Sequence, residues 1–420
     1  MERIKQIIVA VLRRLKLKPP PPVEETGIDE EAAEAFLESI SENERSLSDA
    51  AVRAALITSS AGVPNTLAST NYSLSIIEGM LQNGVDVRFL ATQQLDLPVL
   101  DDDLLLSDIF LPAFWRRSPS GQFVRDVFSS QEFDFVLNIS TPVSQMRAQA
   151  QLVRAHGAVY VHFSGESPIR VFPAEEKRQE FVRLVRESSD GIFTVSDYLR
   201  DYWIEQGFSK EKIFVMRVPV RENLFPDNVD QNAGKHAVYV GNLSHGEIDD
   251  LMIIAQSVVS EIEDFSLSLF ADAAVGRQEE LQRRIVKMEL ENNVSIHPPL
   301  PLKDLAEIEA NADVLLLPRR RGEFSKAGFP NKMGEYLMSG TPVVCSDVGE
   351  IRAIIGDKSA FFVEADKPDL FAKQLISVLS DPSTARKVGQ AGRAWAMEHV
   401  GSYRIARAML VWLDNLRVKR

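Results

Sequence analysis

The chain has 420 residues, 45% of them hydrophobic, and a formal net charge of −13. That length holds about two or three globular domains, and the acidity argues against nucleic-acid binding, which needs a basic field. The single cysteine, Cys345, excludes an intrachain disulfide scaffold and fits a reducing, cytoplasmic setting, while no stretch approaches the roughly 20 apolar residues of a membrane span.

The first 18 residues, MERIKQIIVAVLRRLKLK, predict a basic amphipathic helix, with Ile4, Ile7, Ile8, Val11, Leu12 and Leu15 at helical spacing. Arg13 and Arg14 cut the apolar run too short for a signal peptide. Two readings stay open. The helix lies on the inner face of an anionic membrane, each basic residue adding about 1 kcal/mol, or it packs on another part of the protein. Residues 19–22 are four prolines, a stiff spacer, and residues 24–49 form an acidic arm with no chemistry of its own.

From Ala50 the pattern changes to short apolar β-rich runs alternating with amphipathic helices, which predicts parallel sheets built from βαβ units. Residues 50–220 form the first such domain. A polar, Pro- and Gly-containing linker, PVRENLFPDNVDQNAGK, follows. Residues 236–395 form the second, and residues 396–420 are expected to cross back to the first as a closing helix. Asp101, Asp102 and Asp103 read as solvated rather than metal-holding, and the histidines and the cysteine show no zinc spacing. No G-x-G-x-x-G opens a helix after a predicted strand, which disfavours a dinucleotide oxidoreductase.

The most informative stretch is LLLPRRRGEFSKAGFPNKMGEYLMSGTPVVCSDVGE. A buried strand ends at Pro318, and a basic loop leads to a helix opening near Pro330, where proline suits the first turn. The unpaired amides of that turn make an anion site suited to a diphosphate. Gly328 lets the backbone approach a ligand, and Arg319, Arg320, Arg321, Lys326 and Lys332 surround it with positive charge. Glu335 falls where a carboxylate accepts two hydrogen bonds from a ribose diol. Singly, each residue reads as a solvated surface group; the combination reads as a site.

Four segments resemble, in order, the group 1, family four branch of the GT-B glycosyltransferases: FTVSDYLRDYWIEQGFSKEKIFVMRVPV, AVYVGNLS, VSIHPPLPLKDLAEIEANADVLLLP and KAGFPNKMGEYLMSGTPVVCSDVGEI. The resemblance implies an α/β chain of two Rossmann-like domains facing across a cleft, here with an extra N-terminal helical arm. It implies a hexosyl transferase of polysaccharide-synthesis type. The sugar moves, with retention, from a nucleoside-diphosphate-sugar donor to a glycan, glycolipid or protein acceptor, and no metal or other cofactor is expected. Carried over position by position, Gly62, Gly241, Asn242, Gly328, Phe329, Pro330, Asn331 and Glu335, with Arg319 and Arg320, are the expected donor-binding set. His162, at a strand's carboxyl end in AVYVHFSGESP, is the expected histidine facing acceptor and donor sugar, with Lys332 and Lys326 as catalytic cations. Three positions depart from the pattern: Asn242 and Glu247 stand where the family has arginine and lysine, and Ala327 where it has its first glutamate. Either the cations at 319–332 replace the missing ones, or the chain is a non-catalytic subunit that binds a nucleotide-sugar or a partner enzyme.

Overall fold

The computed structural model describes residues 54–59, 68–91, 110–111, 132–139, 143–226, 234–242, 247–272 and 275–418, all within the compact unit Val52–Arg420. The N-terminal helix, proline spacer and acidic arm, together with Gly62 and Asp101, Asp102 and Asp103, lie outside the described residues.

Two Rossmann-like lobes follow one another, as the alternating pattern predicts. In the first, the described strands β1 (Ala54–Ser59), β2 (Asp86–Ala91), β3 (Phe110–Leu111), β4 (Phe135–Asn138), β5 (Val159–Ser164), β6 (Gly191–Thr194) and β7 (Ile213–Val215) pair in the order β3-β2-β1-β4-β5-β6-β7. In the second, β8 (His236–Asn242), β9 (Ser266–Asp272), β10 (Val294–His297), β11 (Val314–Leu317), β12 (Val343–Asp347) and β13 (Phe361–Glu364) pair in the order β10-β9-β8-β11-β12-β13. All pairings are parallel, with β1 in register between β2 and β4, and β8 between β9 and β11. The inner strands are continuously apolar because helices cover both faces. VLLL of β11 is buried throughout, whereas edge strand β10 buries only Val294. In each lobe the strand order reverses beside the first strand, and ligands of open α/β sheets bind outside the carboxyl ends at such points.

The chain crosses between the lobes twice, side by side. Val220 pairs with Gly401, its amide donates to Val400 O, and Ser402 N donates to Val220 O. The helix Pro382–His399 belongs to the second lobe, where Gly389 brings its backbone so close to the left-handed Gly340 cap of the helix Asn331–Ser339 that a Cβ would lie 2.2 Å from Gly340 O. The closing helix Ser402–Val418 then buries Met409, Leu410, Leu413 and Leu416 against Ile77 and Met80 in the first-lobe core.

Side chains also reach across. Glu350 accepts from Asp197 N and Tyr198 N at 2.9 and 2.8 Å, so a carboxylate of the second lobe caps the first-lobe helix Asp197–Glu205. Glu323 accepts from Ser167 Oγ and Tyr198 Oη at 2.6 and 2.9 Å. Replacing Glu350 by alanine removes one such tie and is expected to cost about 1–2 kcal/mol in urea unfolding. It should also raise the radius of gyration in X-ray scattering; an unchanged scattering curve would show that the cap does not hold the lobes closed.

Candidate active site

A cavity of about 640 Å³ opens between the lobes where the carboxyl ends of the central strands meet. From the first lobe, Ile139 follows β4, and His162, Phe163 and Ser164 end β5; from the second, Tyr239 to Gly241 end β8, Leu317 and Arg319 end β11, and residues 328–332 lead into the site helix.

His162 is the polar residue of an apolar strand and is buried, with the edges of Phe181 and Trp203 packed at 5.8 and 6.5 Å. Its Nδ1 has no hydrogen-bond partner among the described residues. Burial lowers its pKa from 6.5 to about 4, so the imidazole is neutral at physiological pH. The imidazole resonances of His162 are therefore expected not to titrate between about pH 5.5 and 8. Because the unfolded chain binds the proton near pH 6.5 and the folded chain only near 4, stability from this group falls as pH drops through that window. A midpoint near 6.5 by NMR would show the ring to be solvated instead.

Arg319 is the cation that faces the cavity. Its side chain is 8% exposed, its guanidinium stacks 4.4 Å from the Phe324 ring, and Nε and Nη2 have no hydrogen-bond partner. Burial lowers its pKa from the ordinary arginine value, opposed by the nearby Glu247 carboxylate and Tyr239. Glu247, which accepts from the Tyr239 hydroxyl at 3.3 Å, also lines the cavity. The charge missing from the end of β8 thus stands at the end of β11.

Three of the other expected cations, Arg320, Arg321 and Lys326, do not gather here. Arg320 forks onto Asp250 at 2.8 and 2.9 Å, Arg321 reaches Glu364 at 3.3 Å, and Lys326 is exposed; none of them lines the cavity. The reason is local: Ser325 Oγ donates back to Arg320 O, and the loop folds as the short helix Glu323–Ala327, of which Phe324 lines the cavity while Lys326 is exposed. Ala327 is buried, packs with the first-lobe core and accepts from Ser196 Oγ at 2.5 Å through its carbonyl, so this position serves the contact between lobes.

At the helix start, Gly328, Phe329, Pro330, Asn331 and Lys332 all line the cavity, as does Gly241. Asn242 is placed as the last residue of β8. Glu335 does not line it: the carboxylate is 5% exposed and accepts from Lys332 Nζ, one turn earlier on the same helix. Burial works against the Lys332 charge, but Glu335 and the buried Glu309 outweigh it and raise its pKa. Among the described residues no three His, Cys, Asp or Glu side chains converge as a metal site, and no helix is long and apolar enough to cross a membrane. The reading of the sequence missed Glu309, Glu323 and Glu350. Only Glu309 left a signal, as a carboxylate on the stripe 302, 305, 306, 309 and 310 that the helix Leu302–Asn311 otherwise fills with apolar residues.

Residues 234–381 match the family described as glycosyl transferases group 1. The D-inositol 3-phosphate glycosyltransferase of Segniliparus rotundus is 25% identical over 162 residues, 38% of this chain and 35% of that one, so the chain spans about a third of that curated relative's length. Among solved structures, sucrose-phosphate synthase from Thermosynechococcus elongatus superposes with a TM-score of 0.67 at 15% identity, covering 88% of this chain and all 100% of that one. Anabaena HepE in complex with UDP-glucose superposes at 0.63 and 16% identity, covering 85% and 98%. At these identities the structural likeness shows the fold. The second lobe is a group 1 glycosyltransferase domain, and the described chain carries it within a GT-B fold.

Proposed function

We propose that this chain is a glycosyltransferase that moves a sugar from a nucleoside-diphosphate-sugar to a glycan, glycolipid or protein acceptor, with retention and without a metal ion. One observation carries the reading: the Arg319 guanidinium is more than nine-tenths buried, faces the interlobe cavity and leaves two nitrogens unpartnered. A buried cation without a hydrogen-bonded counter-charge is costly, and a diphosphate is the anion that fits a fork of donors opposite a helix start. The diphosphate lies between Arg319 and the first turn of the helix Asn331–Ser339, with the ribose at Glu335. The sugar points to His162, whose neutral ring exchanges hydrogen bonds with its hydroxyls.

The acceptor enters from the first lobe. Its hydroxyl oxygen bonds to the anomeric carbon as the bond from that carbon to the phosphate oxygen breaks, and its proton passes to the departing phosphate on the same face. No side-chain base is needed, so Ala327 is compatible with turnover. Arg319 and the helix amides oppose the charge that develops on the leaving group. Because Anabaena HepE is solved with UDP-glucose, UDP-sugars are the first donors to try.

Release of nucleotide from UDP-glucose, UDP-N-acetylglucosamine, GDP-mannose and ADP-glucose tests the proposal. The wild-type chain is expected to turn over one of them slowly as a hydrolase, and Glu335→Ala to lose about 2–4 kcal/mol of transition-state stabilisation. Nucleotide binding with no turnover of any donor would instead make the chain a binding subunit.

A further inference from the structure

Behind the site lies a carboxylate that the proposed transfer does not use. Glu309 is 0% exposed, and neither of its carboxylate oxygens has a hydrogen-bond partner. Its Oε1 lies 3.9 Å from Lys332 Nζ, the ammonium that also pairs with Glu335. One cation therefore stands between two acids, bonded to one and just beyond bonding distance of the other.

We propose that donor binding moves the Lys332 ammonium from Glu335 onto Glu309, so that Glu309 is a positioning residue that frees Glu335 for the ribose. This rests on the reading that Glu335 receives the ribose diol. While Lys332 is bonded to Glu335, one oxygen of that carboxylate is engaged and a ribose diol cannot take both. When the ribose arrives the ammonium must find another counter-charge, and closing 3.9 Å to a hydrogen bond takes a shift of about 1 Å. The diphosphate is the competing destination, but it already has Arg319 and the helix amides, and the Lys332 side chain runs back along its helix towards Glu335.

The move has a protonic consequence. Burial, opposed by Lys332 and reinforced by Glu335, raises the Glu309 carboxyl well above the usual carboxylate range, which favours its protonated form while Lys332 is bonded to Glu335. An ammonium hydrogen-bonded to it favours the carboxylate, and the proton leaves to solvent through the cavity that Lys332 lines. Other ionisable groups stand around Glu309. Tyr336 is buried and its pKa raised, with its hydroxyl accepting from Val240 N at 2.7 Å. Glu222, on the adjoining turn Glu222–Leu224, is held by Ser402 N and Oγ at 2.8 Å. On its own helix Asp304 and Glu307 are exposed, and His162 stays neutral.

Calorimetric titration with the same four nucleotide-sugars, in two buffers of different ionisation enthalpy, counts the protons; their diester diphosphates do not titrate near neutrality. For whichever binds, the wild-type chain is expected to release about one proton per donor near pH 7, with Kd tightening by up to about tenfold per pH unit around neutrality. In Glu309→Gln the release and the pH dependence should vanish while binding persists. Binding by the wild type without proton release, or release that survives in Glu309→Gln, overturns the relay and leaves the proposed function standing. Failure of all four donors to bind overturns both. The wild-type count decides the question even where a variant fails to fold.

Discussion

Arg319→Ala is expected to lower kcat/KM for donor turnover by about 10²–10³-fold, the effect of removing one preorganised charge donor from a dry site. The side chain is buried and lines the cavity, two of its nitrogens have no hydrogen-bond partner among the described residues, and the stack on Phe324 fixes the plane of the fork. Lysine is a poor substitute, because a point charge neither forks nor stacks. Arg320→Ala is the control. Its partner Asp250 lies away from the cavity, and a half-exposed ion pair contributes at most about 1 kcal/mol. Equal losses in the two variants would show that the loop supplies only a diffuse basic field.

Trp203→Ala is expected to destabilise the fold by about 3–5 kcal/mol in urea unfolding, the range for emptying a large buried aromatic site. Trp203 is 0% exposed and packs with Phe181, Tyr202 and Phe208 in a cluster of its own behind β5. Its ring edge is also one wall of the His162 site. Water entering the void would relieve the burial that depresses the histidine, so its pKa is expected to climb from about 4 back towards 6.5. A loss below about 1 kcal/mol, with the histidine unmoved, would mean that the site collapses without needing the indole.

The lobes were legible because their strands are the simplest kind of pattern: VLLL, VYVHFS and GIFT are buried on both faces and carry no ambiguity of period once helices separate them. The helix opening at Pro330 was legible for the same local reason, and Gly340 ends it in the left-handed conformation expected of such a glycine. What sequence could not give was direction. Three consecutive arginines look equivalent in a string, yet the backbone after Pro318 aims only Arg319 inward and leaves its neighbours to Asp250 and Glu364. Nor could it show that Glu323 and Glu350 tie one lobe to the other, since those contacts join residues about 125 to 156 positions apart. The replacement of the expected lysine by Glu247 looked like a loss of function; in three dimensions Glu247 lines the same cavity as Arg319, and its carboxylate favours the Arg319 charge.

The most direct measurement is a crystal structure of the full chain soaked with the tightest-binding nucleotide-sugar. The diphosphate is expected within hydrogen-bond reach of Arg319 and of the amides at Asn331 and Lys332, with the ribose hydroxyls on Glu335 and the sugar beside His162. A diphosphate bound elsewhere, with Arg319 still unpartnered, would contradict the site assigned to it.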